Sequence, residues 1–336
     1  MADQRPFAKT AAAPPRPRGL HGFAVGLAGA TLLLVFAGGL VTSTESGLSV
    51  PDWPTTYGQN MFTFPVSKWV GGIRYEHVHR LIASGIGLLT VVLAIWLARR
   101  EPRRWVRRLG YLALGAVVAQ GLLGGLTVLL LLPPAVSVAH ACLAQTFFCL
   151  IVTIAVVTSP RWTPSAPTLR ASLAASPSGR FAAVTAGAVF LQLLVGAIMR
   201  HTNAGLAIPD FPLALGRVVP PLTTFPVAIH FLHRVGALVV AALVGFCALS
   251  CARTHRAGLR RAGFVLVVLT LAQIALGAAT VLTKKSVAIT TAHVAAGALL
   301  LGSTVALCAS SLAAERRRNN VIPIRSAIAR SASGWK

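Results

Sequence analysis

Gly47-Leu48-Ser49-Val50-Pro51-Asp52-Trp53-Pro54 is written a second time, 158 residues on, as Gly205-Leu206-Ala207-Ile208-Pro209-Asp210-Phe211-Pro212. More of the chain repeats around it in the same order. His79-Arg80 returns as His233-Arg234 at an offset of 154; Gln120, Gly124, Thr127 and Val128 return as Gln273, Gly277, Thr280 and Val281, and His140 returns as His293, at offsets of 153. A repeat kept in register over this length sets the architecture before any single motif is weighed.

The repeated units are apolar. Of 336 residues, 55% are hydrophobic and 11% charged, against about a quarter charged in soluble domains. The apolar runs predict spans at approximately 22–43, 75–98, 109–132, 136–158, 181–200, 228–251, 262–283 and 286–313, each near the ~20 residues that cross a bilayer. The first run is too long for a signal-peptide core and reads as a retained span. Each half holds an even number of spans, so both enter the membrane in the same direction. The expected fold is an all-α integral membrane protein, with eight transmembrane helices in two parallel-repeat four-helix bundles. The expected divisions are a basic tail over 1–21, an N-terminal bundle over 22–158, a linker over 159–180, a C-terminal bundle over 181–313 and a basic, frayed tail over 314–336. Residues 1–19 read as disordered.

The net charge of +24 first suggests nucleic acid, but its distribution points elsewhere. Of the 31 Lys and Arg residues, 23 fall in the tails and in the loops after spans two, four and six. That asymmetry places both termini in the cytoplasm of a bacterial plasma membrane and implies no nucleic-acid partner. The connections 44–74 and 201–227 then face outward. All five cysteines lie in apolar runs, so no disulfide framework is implied.

Of the nine histidines, His79, His140, His233 and His293 each lie several residues inside a span. At ~1.5 Å per residue each lies roughly 6–10 Å below the outer end of its helix, two per half, on different helices. One such histidine reads best as polar glue between helices. Four at matched depth, repeated in matched order, suit two imidazoles on opposite faces of one haem iron in each half.

The halves differ beside these residues. Glu76 shares a helix face with His79, three positions on, and its repeat counterpart is His230. A carboxylate there could accept a proton or position a water; the plainer reading is an interfacial ion pair with Arg74 or Arg80. His77 is expected at the interface. Arg80 and Arg234 are candidate partners for haem propionates, or cations snorkelling to the outer surface. Asp52 and Asp210 are expected to satisfy turn backbone in loops capping each bundle. Gly124 and Gly277 are expected to allow close helix approach.

Taken together, Gly38-Gly39-Leu40-Val41-Thr42, Ser46-Gly47-Leu48, Glu76-x-x-His79-Arg80 and the single histidines His140, His233 and His293 resemble the haem A synthase family over roughly residues 22–313. The resemblance implies oxidation of the C8 methyl of haem O to the formyl of haem A, by successive hydroxylation and loss of water. It implies His79 and His140 as ligands of the substrate haem O, His233 and His293 as ligands of a haem b cofactor, and Glu76 as the catalytic carboxylate. Haem O synthase, an electron acceptor and membrane lipid are the partners it implies. Some members carry a cysteine pair in the first outer loop; residues 44–74 contain none, so other contacts, in the Trp53 and Trp69 region, are expected to hold that loop. A di-haem electron-transfer subunit and a transporter are the competing readings. The unmatched Glu76 favours the enzyme.

Overall fold

A computed structural model describes residues 18–160, 162 and 176–332, with side chains from 19 to 312. Most of the expected N-terminal tail and of the 159–180 linker lies outside the described residues. The helices are α1 (Arg18–Ser43), α2 (Gly72–Arg100), α3 (Arg104–Leu129), α4 (Pro134–Thr158), α5 (Pro177–His201), α6 (Phe225–Ala252), α7 (Ala257–Leu282) and α8 (Val287–Ala332). All eight are long and apolar enough to cross a membrane, α8 through Val287–Leu312. The backbone of α8 continues through the segment expected to fray. Among the described residues, extended pairing is limited to two isolated bridges, Thr56 with Gln59 and Ala214 with Arg217.

Helix limits follow from local chemistry. Proline stands in the first turn of α4, α5 and α6, where its missing N–H costs nothing. The Ser176 hydroxyl caps α5 by accepting from the Gly179 N–H at 3.1 Å. Several helices outrun the apolar stretch that reveals them: α7 starts at Ala257 rather than near 262 and takes in Arg260 and Arg261, both exposed.

α3 closes on a turn in which Leu132 N–H donates to the Thr127 carbonyl (2.7 Å) and Leu131 N–H to that of Val128 (3.0 Å); α7 closes the same way, with Lys285 donating to Thr280 (2.8 Å) and Lys284 to Val281 (3.0 Å). The residues at the left-handed position of these turns, Leu131 and Lys284, have φ of 60° and 52°. This is the Schellman arrangement, built without glycine.

Packing closes two rings. α1 meets α2 and α4, and α3 meets α2 and α4; α5 meets α6 and α8, and α7 meets α6 and α8. The first ring buries a core that includes Leu93, Leu97, Ile151 and Ile154, the second one that includes Val244, Cys247, Leu266 and Leu301. The rings join where α8 touches α1 and α4, and where α4 touches α5. Residues such as Leu88, Leu112, Leu191, Leu238 and Phe264 point outward and exposed, as apolar side chains facing lipid do.

At the seam, α4 and α8 come so close that a Cβ on Gly302 would stand 2.6 Å from Phe148 Cε1. Gly302→Val should therefore destabilise the protein by about 1–3 kcal/mol, the usual cost of overpacking. Thermal unfolding in detergent reads this as a lowered midpoint, and adding Phe148→Leu should restore part of it.

Candidate functional site: four imidazoles between helices

His79, His140, His233 and His293 each bring the Cε1 edge of the ring against a neighbouring helix at a glycine. A Cβ on Gly38, Gly124 or Gly277 would stand 3.1 Å from Cε1 of His79, His140 or His293, and one on Gly196 would stand 3.0 Å from Cε1 of His233. The expected close approach at Gly124 and Gly277 is thus an approach of a histidine ring. Gly38 and Gly196 do the same on α1 and α5; Gly38 opens one of the segments that carry the family resemblance, whereas Gly196 is marked only by continuing the 158-residue offset.

Glutamines steady three of the four. The Gln120 amide donates to the His140 carbonyl at 3.0 Å and the Gln192 amide to the His233 carbonyl at 2.7 Å. The Nδ1–H of His293 donates to the Gln273 carbonyl at 3.1 Å, so Nε2 carries the ring's lone pair; the Gln273 side-chain amide nitrogen lies 3.4 Å from it. His79 Nδ1 is buried with no partner among the described residues.

His233 and His293 face one another across the second ring, their centroids 6.5 Å apart and their planes at 69°. Imidazole–metal bonds run ~2.0–2.1 Å, so the gap suits one metal atom bound from both sides. His79 and His140 are close enough in the first ring to interact electrostatically. The second pair therefore has the spacing of two imidazoles on one haem iron, and in the first the Nδ1 atoms of both His79 and His140 are buried without a partner among the described residues, which fits ligation of the same kind.

The segments after α1 and α5 fold over the same ends of the rings. Asp52 accepts from the N–H of Tyr57 (2.7 Å) and Gly58 (2.8 Å), and from the Thr55 hydroxyl; Asp210 accepts from Leu215 and Gly216, both at 2.8 Å. Both carboxylates serve turn backbone. Arg80 donates to the carbonyls of Asp52 (2.7 Å), Thr55 (3.1 Å) and Val50 (2.8 Å), and Arg234 to those of Leu213 (2.8 Å), Ile208 (3.0 Å) and Asp210 (2.7 Å). Both guanidiniums considered for propionates thus hold loop carbonyls.

Glu76 is 3% exposed. One oxygen pairs with Arg80 at 2.6 Å and the other accepts the Val50 N–H at 2.8 Å. In the second half, His230 Nδ1 accepts the Ile208 N–H at 3.3 Å, so acid and imidazole occupy one structural role.

His77 is a correction. It is fully buried rather than interfacial, 3.2 Å from the Thr56 hydroxyl and packed against Trp69 and Phe64 at 4.8 and 5.3 Å. Helix periodicity turns it away from His79, and the folded loop, invisible to periodicity, covers it. Trp53 anchors the loop from the other side: a Cβ on Gly125 would stand 2.5 Å from its ring. These contacts hold a loop that has no cysteine.

A family model described as "Cytochrome oxidase assembly protein" (COX15-CtaA) matches residues 21–305. The chain belongs to this family. A protein named Heme A synthase in Symbiobacterium thermophilum is 34% identical over 255 residues, covering 74% of this chain and 80% of the relative. Another so named, from Rhizorhabdus wittichii, is 30% identical over 342 residues, covering 88% of this chain and 95% of its own. A third, from Halalkalibacterium halodurans, is 29% identical over 266 residues, at 78% and 87% coverage. Family membership thus rests on both rings and both loops.

The loop carboxyls give this region a pH dependence. Burial alone would raise the Asp52 pKa, but bonds from Gly58, Thr55 and Tyr57 outweigh it and hold the pKa below 3.8. The Gly216 and Leu215 amides do the same for Asp210. A carboxyl with a depressed folded-state pKa stabilises fully above its unfolded value, and that contribution is lost as pH falls through the folded one. Amide-exchange protection at Tyr57, Gly58, Leu215 and Gly216 should hold from neutral pH down to about 3.8 and collapse below it. Asp52→Asn should remove it at Gly58 already at neutral pH.

Proposed function

We propose that this chain is a haem A synthase of a bacterial plasma membrane, with both termini cytoplasmic, oxidising the C8 methyl of haem O to the formyl of haem A. The observation that carries the reading is Glu76, a buried carboxylate in the first ring whose counterpart in the second is His230. Two alike ligand pairs with one acid between them fit one site that reacts and one that carries electrons. The alternative, a di-haem electron carrier, gives no reason for the acid.

In this reading His79 and His140 hold the substrate haem in the N-terminal bundle, residues 22–158. His233 and His293 hold haem b in the C-terminal bundle, residues 181–313. Bound haem iron supplies the redox chemistry. The protein's share is placement and proton handling. The glycine surfaces fix each imidazole ring against translation along its neighbour helix. Arg80 and the Val50 N–H hold Glu76 on the His79 face of α2, one to each carboxylate oxygen. A carboxylate has about four lone-pair sites, so capacity remains to take a proton from, or orient, a water beside the substrate. The folded 44–74 loop, pinned by Asp52, Arg80 and Trp53, limits water at that ring. An electron acceptor and a haem O synthase that supplies substrate complete the proposed setting.

The test is co-expression with a haem O synthase, followed by extraction and mass analysis of the haems. Wild type should yield haem A. Glu76→Gln keeps an acceptor for Val50 and removes the charge; it should retain bound haem and lower conversion by roughly 10²–10⁴-fold, the range of general acid–base catalysis. Haem O persisting unchanged in the wild type would sink the enzyme reading. His233→Ala and His293→Ala should each abolish the resident haem's absorbance, and retention of a full haem complement in both would remove them as ligands.

A further inference from the structure

The final turn of α5 ends in Arg200-His201, and by the 158-residue offset that relates the loops these positions correspond to Thr42 and Ser43. The first half therefore has no counterpart of this guanidinium. Arg200 lies four residues on from Gly196, on the same helix face, one turn from the surface against which His233 rests. Its Nη2 donates to the Ser43 hydroxyl at 2.9 Å and the Gly39 carbonyl at 3.2 Å on α1. Ser43 in turn accepts from Thr291 at 3.1 Å on α8, two residues before His293. The guanidinium thus sits where α1, α5 and α8 meet, beside the second imidazole pair.

Its partners do not balance its charge. Both acceptors are neutral, and Nε and Nη1 have no acceptor among the described residues. The ion pairs among those residues are Arg80 with Glu76 and Arg103 with Glu101. Arg80 makes three bonds to loop carbonyls and one to Glu76, and Arg234 makes three, all to loop carbonyls. A half-buried guanidinium at the outer end of its helix, with an open donor edge and no acid beside it, is better satisfied when an anion completes it, and that edge matches a carboxylate two bonds at a time.

We propose that Arg200 binds a carboxylate of the tetrapyrrole held by His233 and His293, as the charged anchor of the second site. The assignment rests on the haem reading above and assigns a residue that neither the repeat nor the motifs single out.

The test uses the full chain carrying His79→Ala, which breaks the first imidazole pair and leaves the second intact. Haem-free protein is titrated with ferric haem and with its dimethyl ester, whose carboxylates are blocked, and binding is followed by absorbance. With Arg200 present the ester should bind at least about tenfold more weakly, and Arg200→Gln should bring the two ligands within about threefold. Arg200→Lys keeps the charge without the planar fork and should fall between; it decides the matter if the Gln variant does not fold. Equal binding of both ligands by the Arg200 protein, or full discrimination surviving in Arg200→Gln, overturns the assignment. A lowered unfolding midpoint with discrimination intact means that Arg200 only clamps the bundles, and overturns it as well. Failure of the unmutated chain to bind any haem is a different outcome: it removes the haem reading itself, and this assignment with it.

Discussion

A histidine ring lying on a glycine of the next helix is the contact around which both rings are arranged. It occurs at Gly38, Gly124, Gly196 and Gly277, on one helix from each adjacent pair that carries an imidazole. Without a Cβ, the backbone of the glycine helix offers a flat surface, and the ring takes the place a side chain would have filled. Helix separation, histidine depth and ring orientation are then fixed by one contact. In lipid, where helices gain little from hydrophobic association with each other, such van der Waals fits and hydrogen bonds have to supply the specificity.

The second demand on the structure comes from the loops. Two non-helical segments fold over the ring ends, and the carbonyls they bury there need donors. One arginine in each half answers several at once, and one aspartate takes the amides of the tight turn. The halves part company in how the aromatic of each loop is seated. Trp53 presses on Gly125, whereas Phe211 has the Arg234 guanidinium 5.9 Å from its ring centre; the position matching Gly125 at the 153-residue offset is Ala278. A methyl group where the first half has none denies the second loop the same foothold.

The spans, the repeat and the four imidazoles were legible in the sequence because each leaves a one-dimensional trace: an apolar run, an offset, a polar residue in apolar surroundings. The burial of His77 was not, because it depends on where Phe64 and Trp69 come to rest. Nor was the engagement of Arg80 and Arg234 with carbonyls, which carry no residue identity and so leave no pattern to read. Arg200 had a weak trace, as a cation in a span where the repeat has Thr42, but its meeting with Ser43 and Thr291 joins residues 157 and 248 positions apart in their respective pairings. Periodicity describes a helix; it is silent on which helices share a seam.

The Val50 and Ile208 amides ask only for a lone pair, and the first half meets that request with a carboxylate, the second with an imidazole. A position whose architectural duty is so undemanding can change its chemistry without changing the fold. After duplication, the two copies could drift apart here first, one becoming acidic while the other stayed silent, with no helix moved and no loop rebuilt. The difference between the halves is small for that reason, and it sits at a place where the scaffold is indifferent to the outcome.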